Sequence, residues 1–182
     1  MPNMSITKKA LAQALKELMC EEPLARISVG DICERCGMNR KSFYYHFKDK
    51  YDLVNWIFYT EFLEGILTKS VHGDGWDDTL RLCEYFAQNK TFYRRALEVQ
   101  GQNSFYEYFG DVLAASLREI LDPFFVEGEH HEFFITLFAE ALRSVILRWV
   151  REDEDIPPAE FVQLLKAATM GLGYKVFREE EA

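Results

Sequence analysis

The sequence predicts an all-α protein with a small N-terminal three-helix domain, residues 1–50, and a larger helical body, residues 51–182. Three observations carry that expectation. Apolar residues recur at helical spacing along most of the chain. No sustained alternation of apolar and polar residues, and no Asn-Gly or Asp-Gly turn between β-branched runs, marks a strand. Glycine- and proline-containing breakers fall where helices of ordinary length would end. A composition 48% hydrophobic, with 15 Phe, 9 Tyr and 3 Trp in 182 residues, supplies a core without disulfides or metals and excludes a disordered chain. Charges interrupt every apolar run before the roughly 20 residues of a membrane span. Met1 to Thr7 lacks the layout of a signal peptide, so the expectation is a cytoplasmic protein with no membrane partner and its four cysteines reduced.

The elements follow in order. Ile6, Ala10, Leu11, Ala14, Leu15 and Leu18 line one face of a first helix from Ser5 or Thr7 to Met19. Ser28, with Asp31 three residues later, forms a capping-box pattern that starts a short helix from Val29 to Cys36. Gly37 ends it, because glycine enters the left-handed region without a side-chain penalty. Asn39 then caps a second short helix from Arg40 to about Phe47. Lys50 opens a long helix through Leu53, Trp56, Phe58 and Phe62 to Ile66 or Leu67, which stops before His72-Gly73-Asp74-Gly75. Further helices are expected at about 76–89, 90–100, 104–121, 131–152 and 158–178. Glu152-Asp153-Glu154-Asp155 reads as a solvated acidic loop.

The charge is unevenly spread. Residues 1–50 carry 9 Lys and Arg against 6 Asp and Glu, net +3, while residues 51–182 carry 12 against 24, net −12. A basic head on an acidic body suits a nucleic-acid-reading module joined to a domain with another task.

Two short helices split by a turn containing glycine make a helix-turn-helix. Such a unit places the first residues of its second helix against base edges and the flanking residues against phosphates. Asn39, Arg40 and Lys41 are the candidates for base contact, arginine matching guanine and asparagine matching adenine through paired hydrogen bonds. Ser42, Tyr44, Tyr45 and Lys50 are the candidates for phosphate contact, with Ser28 and Lys8 adding contacts from neighbouring helix starts. Ile32, Phe43, Phe47 and Leu53 are expected in the core.

Ser28, Ile32-Cys33, Cys36-Gly37-Met38, Phe43-Tyr44-Tyr45-His46-Phe47, Lys50, Asp52 and Leu53 stand at the spacing of a known signature. Through these residues the chain resembles the TetR family of bacterial regulators. Lys41 departs from it, since the family commonly has glycine there. The run from Asn39 to Phe47 also resembles regulators of dihydroxyacetone kinase operons, in which a TetR-like subunit works with a kinase-like partner as an activator. The resemblance implies a homodimeric transcriptional regulator that reads a palindromic operator in double-stranded DNA, acting as a ligand-responsive repressor. The alternative it implies is a coactivator whose body binds a protein partner instead of a small-molecule inducer.

Other constellations carry less. Cys33-x-x-Cys36 is compatible with zinc or redox chemistry, yet both cysteines fall on a predicted helix with no second such pair, at positions where the family has alanine. His130-His131 reads as a helix start, because adjacent helical residues point apart. No nucleophile triad, phosphate loop or carboxylate pair emerges, so no enzyme, metal or cofactor is expected. In the body, Trp76, Phe86, Tyr93, Phe105, Tyr106, Phe109 and Phe138 are candidates for an inducer pocket, with plain core packing as the alternative. Phe134, Phe138, Val145 and Trp149 on one helix, and Phe161, Leu165, Ala168 and Leu172 on the next, are candidates for a dimer interface.

Overall fold

The computed structural model describes residues 2–67, 75–99, 101–121, 130–152 and 156–178. Its elements are α1 (Pro2–Glu21), α2 (Val29–Arg35), α3 (Arg40–His46), α4 (Lys50–Phe58), a π turn (Tyr59–Leu63), α5 (Glu64–Leu67), α6 (Trp76–Gln88), α7 (Lys90–Ala96), α8 (Phe105–Leu121), α9 (His131–Arg151) and α10 (Pro158–Arg178). All regular structure among the described residues is helical, as the periodicity predicts. None of these helices is long and apolar enough to cross a membrane. The segments around His72-Gly73-Asp74, Asp122-Pro123, Gly128 and Asp153-Glu154-Asp155 lie outside the described residues.

The head closes around one small core. Leu11, Leu15, Met19, Ile32, Phe43 and Leu53 are at most 1% exposed, so α1, α2, α3 and the start of α4 share a single apolar centre. Arg35 at the end of α2 places its guanidinium on both carboxylate oxygens of Glu21 at 2.8 Å, tying the ends of α1 and α2 together.

The body is organised around α4. Phe58 is fully buried and meets seven aromatic rings with centroids 5.3–6.3 Å away, contributed by the π turn, α6, α7 and α8. The long fourth helix expected from the sequence is interrupted at Tyr59–Leu63. There the hydroxyl of Thr60 donates to the carbonyl of Trp56 at 2.8 Å, and the wider turn inserts one extra residue into the ladder. Around this centre α8 packs along α9, and α10 packs against α6. The expected helix at 90–100 stops at Ala96, and Arg151 of α9 donates to the Leu97 carbonyl just past that end at 3.0 Å.

Polar contacts reinforce the apolar core that head and body share. Arg95 of α7 donates through Nη1 to the carbonyls of Met19 and Glu22, satisfying acceptors that the end of α1 leaves unpaired. Lys16 of α1 pairs with Glu61 in the π turn at 2.7 Å. The Tyr85 hydroxyl donates to the same carboxylate at 3.0 Å and lies 2.7 Å from the Tyr93 hydroxyl. The Lys16–Glu61 pair is partly solvated and contributes about 0–1 kcal/mol, so the aromatic cluster dominates this seam. Phe58→Ala should therefore lower unfolding free energy by about 3–5 kcal/mol in urea titrations followed by circular dichroism; a loss below about 1 kcal/mol would contradict the central place of this ring.

Candidate nucleic-acid interface

The helix-turn-helix is built by local hydrogen bonds. Ser28 Oγ accepts from the Asp31 amide at 3.2 Å, and Asp31 Oδ2 accepts from the Ser28 amide at 2.7 Å, completing the capping box. That backbone hydrogen bond, aided by the nearby Arg40 cation, holds the Asp31 carboxyl below its usual range. Gly37 turns the chain at φ +67, and the Met38 amide returns to the Cys33 carbonyl at 2.8 Å. Asn39 Oδ1 then accepts from the Ser42 amide at 2.9 Å and starts α3.

The two faces of α3 are sharply different. Phe43 and Phe47 are 0% and 3% exposed and pack edge to face or tilted against Tyr44 and Trp56. Arg40, Lys41, Tyr44 and Tyr45 are exposed, with Ser42 and His46 partly so. Residues four apart on a helix share a face. Arg40 with Tyr44, and Lys41 with Tyr45, therefore start from shared faces of α3; the tyrosines are 58% and 76% exposed.

Individual side chains have more specific settings than their spacing reveals. The Arg40 guanidinium lies back over Gly30, so close that a Cβ built there would come within 2.5 Å of Nη2. Gly30, which the sequence reading passed over, is thus the seat of this side chain, and only its position in the fold discloses that. Asn39 uses one lone pair of Oδ1 in the cap, which leaves its second lone pair and both amide N–H groups for another partner. Lys50 donates to the carbonyls of Leu24, Ala25 and Ile27 at 2.7, 3.3 and 2.6 Å. These acceptors match the three hydrogens of an ammonium group, and a phosphate would have to take the group from them. Burial in that nest pulls its pKa down, against the pull of Asp31 and Asp49. The Lys8 ammonium sits 5.4 and 5.5 Å from the ring centroids of Phe47 and Trp56, a cation–π seat behind α3. Lys48 is exposed between α3 and α4. It belongs to the same cationic rim, and its place directly after the aromatic run was the available signal.

Cys33 is buried and Cys36 half-buried. Burial pushes both thiols up, away from the thiolate that metals and disulfide exchange require, and Cys36 donates to the Ile32 carbonyl at 3.2 Å.

Four of the candidate pocket residues of the body pack on one another. Phe86, Tyr93, Phe105 and Phe109 are buried and face one another with centroids 4.8–6.3 Å apart. Burial raises the Tyr93 phenol well above its ordinary range. Trp76 is half-buried under the Lys166 ammonium, 5.9 Å from the ring. Tyr106 carries the Arg143 guanidinium at 4.1 Å, and Phe138 is half-buried.

Of the candidate interface residues, Val145 is 44% exposed and Ala168 is exposed, whereas Phe134 and Phe138 are half-buried. Phe133 and Leu137 of α9 and Leu164 of α10 are further exposed apolar positions, at 63%, 50% and 54%. Trp149 stacks on Phe161 within the protomer, centroids 4.8 Å apart, and donates its indole N–H to the Ile156 carbonyl. Phe161 and Leu165 are buried, and the side chain of Leu172 lies outside the described residues. Each helical residue turns by about 100°, so a broad apolar stripe read from sequence leaves its solvent edge undetermined by one position.

A capped two-helix unit that turns cations and phenols outward, set on an all-helical body, defines a helix-turn-helix transcriptional regulator. Residues 11–57 match the model for bacterial regulatory proteins of the tetR family, and residues 74–171 match a transcriptional regulator C-terminal region. The chain belongs to the TetR family, whose members are DNA-binding regulators, not enzymes, and bind DNA as dimers. Over 90 residues, 50% of this chain, it is 34% identical to the HTH-type dhaKLM operon transcriptional activator DhaS of Lactococcus lactis subsp. lactis (strain IL1403). That match spans 48% of the relative, about half its length. Among solved structures, a dihydroxyacetone kinase operon activator DhaS is similar at TM-score 0.64 and 25% identity, covering 90% of this chain and 96% of that one. A transcriptional regulator from Pseudomonas aeruginosa PAO1 shares the fold at TM-score 0.56 and 16% identity, covering 94% and 92%. NalD, the secondary repressor of the MexAB-OprM multidrug efflux pump in Pseudomonas aeruginosa, shares it at TM-score 0.52 and 18% identity, covering 94% and 98%.

Asn39→Asp separates the cap from the amide donor. Aspartate caps as well as asparagine, so stability should change by less than about 0.5 kcal/mol, while loss of the amide N–H lowers affinity for duplex DNA. An Asn39→Asp protein that melts early, or binds DNA unchanged, would contradict this division of roles.

Proposed function

We propose that the protein is a homodimeric regulator that lays α3 of each protomer into successive major grooves of a palindromic operator. The observation that carries this reading is the outward row Arg40, Lys41, Tyr44 and Tyr45 on a helix whose opposite face is locked by Phe43 and Phe47. Arg40 reads a base edge by leaving its seat over Gly30. Lys41, Ser42, Tyr44, Tyr45 and Lys48 hold phosphates with Ser28 beside them at the start of α2, while Lys8 and Lys50 join them only by leaving the Phe47 and Trp56 rings and the carbonyls of Leu24, Ala25 and Ile27. One short helix reads only a few base pairs, and a two-fold pair doubles that span. Phe133, Leu137, Val145, Leu164 and Ala168 form the apolar face that a second copy covers.

For the regulatory input, the packed rings around Phe58 favour a protein partner over a small molecule swallowed at the centre of the body. A ligand there would have to displace Phe86, Tyr93, Phe105 or Phe109, each fully or almost fully buried. The similarity to dhaKLM operon activators supports the same reading and makes activation the favoured sign of regulation.

Fluorescence anisotropy on DNA selected from a random library tests the DNA contacts. Arg40→Ala should lose about 1–3 kcal/mol of discrimination at one base pair while still binding other sequences. Lys41→Ala should weaken binding to all sequences and reduce the salt slope by roughly 0.9. Unchanged affinity and preference in both variants would overturn the assignment.

A further inference from the structure

Gly30 stands second in α2, and its backbone gives no reason for a glycine. Gly37, Gly75 and Gly101 take positive φ, whereas Gly30 does not. Within a helix glycine is less favourable than alanine, because it has more backbone freedom to lose. What the missing side chain supplies is room. The nearest atoms that a Cβ would meet are Nη2 and Cζ of Arg40, at 2.5 and 3.3 Å, and Oγ of Ser28, at 3.2 Å. The Arg40 guanidinium therefore rests across the start of α2. Asp31 lies beside it, its carboxyl held below the usual range by Ser28 first and by the Arg40 cation to a lesser degree. To pair with two acceptors on a base edge, the guanidinium has to leave this place.

We propose that Gly30 is a positioning residue for DNA recognition, which sets the discrimination of the head by giving the Arg40 guanidinium a resting place that competes with base contact. This inference rests on the reading of Arg40 as a base contact. A competing pose lowers apparent affinity by the fraction of time the competent pose is populated, so a guanidinium seated for about nine-tenths of the time weakens a head about tenfold. The effect is selective. DNA that offers Arg40 no matching base is bound with the guanidinium still seated, so the seat weakens binding to the preferred operator and leaves binding to other sequences unchanged. A Cβ at position 30 would displace only the far end of a flexible side chain, so alanine there frees Arg40 without moving the backbone of either helix.

Fluorescence anisotropy of the full chain on its selected operator and on a scrambled duplex, with Gly30→Ala, Arg40→Ala and the double variant, tests this. Gly30→Ala should bind the operator at least about threefold more tightly and the scrambled duplex as before, and the gain should vanish when Arg40 is also alanine. A merely structural effect of the new methyl group would move both duplexes and would survive the loss of Arg40. Circular dichroism checks folding. If Gly30→Ala does not fold, nuclear relaxation of the Arg40 Nε in the unsubstituted chain without DNA carries the test: order matching the α3 backbone is expected, and mobility equal to that of exposed Arg26 would overturn the proposal. Unchanged or weaker operator binding by Gly30→Ala, an equal gain on the scrambled duplex, or a gain that persists without Arg40 would also overturn it. An Arg40→Ala protein with intact sequence preference would remove the base-reading assignment and this inference with it, whereas failure of Gly30→Ala beside a relaxed Arg40→Ala would remove the resting place alone.

Discussion

Lys50 and Phe58 stand two helical turns apart on α4, and each fastens that helix to a different half of the protein. The Lys50 ammonium gathers the carbonyls of Leu24, Ala25 and Ile27, which follow α1 and precede α2. Phe58 buries its ring among the aromatics of the body. A short helix anchored by a cation at one end and an aromatic ring at the other transmits orientation, because neither anchor can move without leaving carbonyls unpaired or opening a cavity. The presentation of α3 depends on this rod, since Leu53 lies in the same core as Phe43.

The two anchors differ in kind. Packing around Phe58 is non-directional and large in magnitude, whereas Lys50 and Arg95 act by direction, closing on the orphan carbonyls left by a helix end. A change in the body that shifted α7 would pull on α1 through Arg95 and on the π turn through Tyr85 and Glu61. Linkage makes any coupling along these contacts reciprocal. The π turn carries Glu61, where the contacts of Lys16 and Tyr85 meet.

Much of the head is legible in the sequence because its devices are local. Ser28 with Asp31, Gly37 and Asn39 each act within four residues, and the structure places each where its chemistry requires. The starts of α4, α6 and α8 are likewise marked by Asp49, Gly75 and Ser104. What stayed hidden depends on residues far apart. The nest around Lys50 draws on carbonyls more than twenty residues earlier, and the seat of Arg40 over Gly30 exists only once α3 crosses α2. The π turn leaves no mark in a sequence whose apolar spacing fits an α-helix equally well. In the body, aromatic periodicity showed that the rings face inward but not whether they surround a space or fill it. On α9 the interface candidates Phe134 and Phe138 are half-buried, whereas the adjacent Phe133 and Leu137 are exposed, a difference of one position that periodicity does not resolve.

The proposed function requires two copies of α3 presented in register with duplex DNA. Hydroxyl-radical footprinting of the full chain on a selected operator measures that register directly. Two short protected stretches on one face of the duplex, centred about 34–36 Å or a whole multiple apart, are the expected result. A single protected stretch, or two lying on opposite faces of the helix, would contradict it.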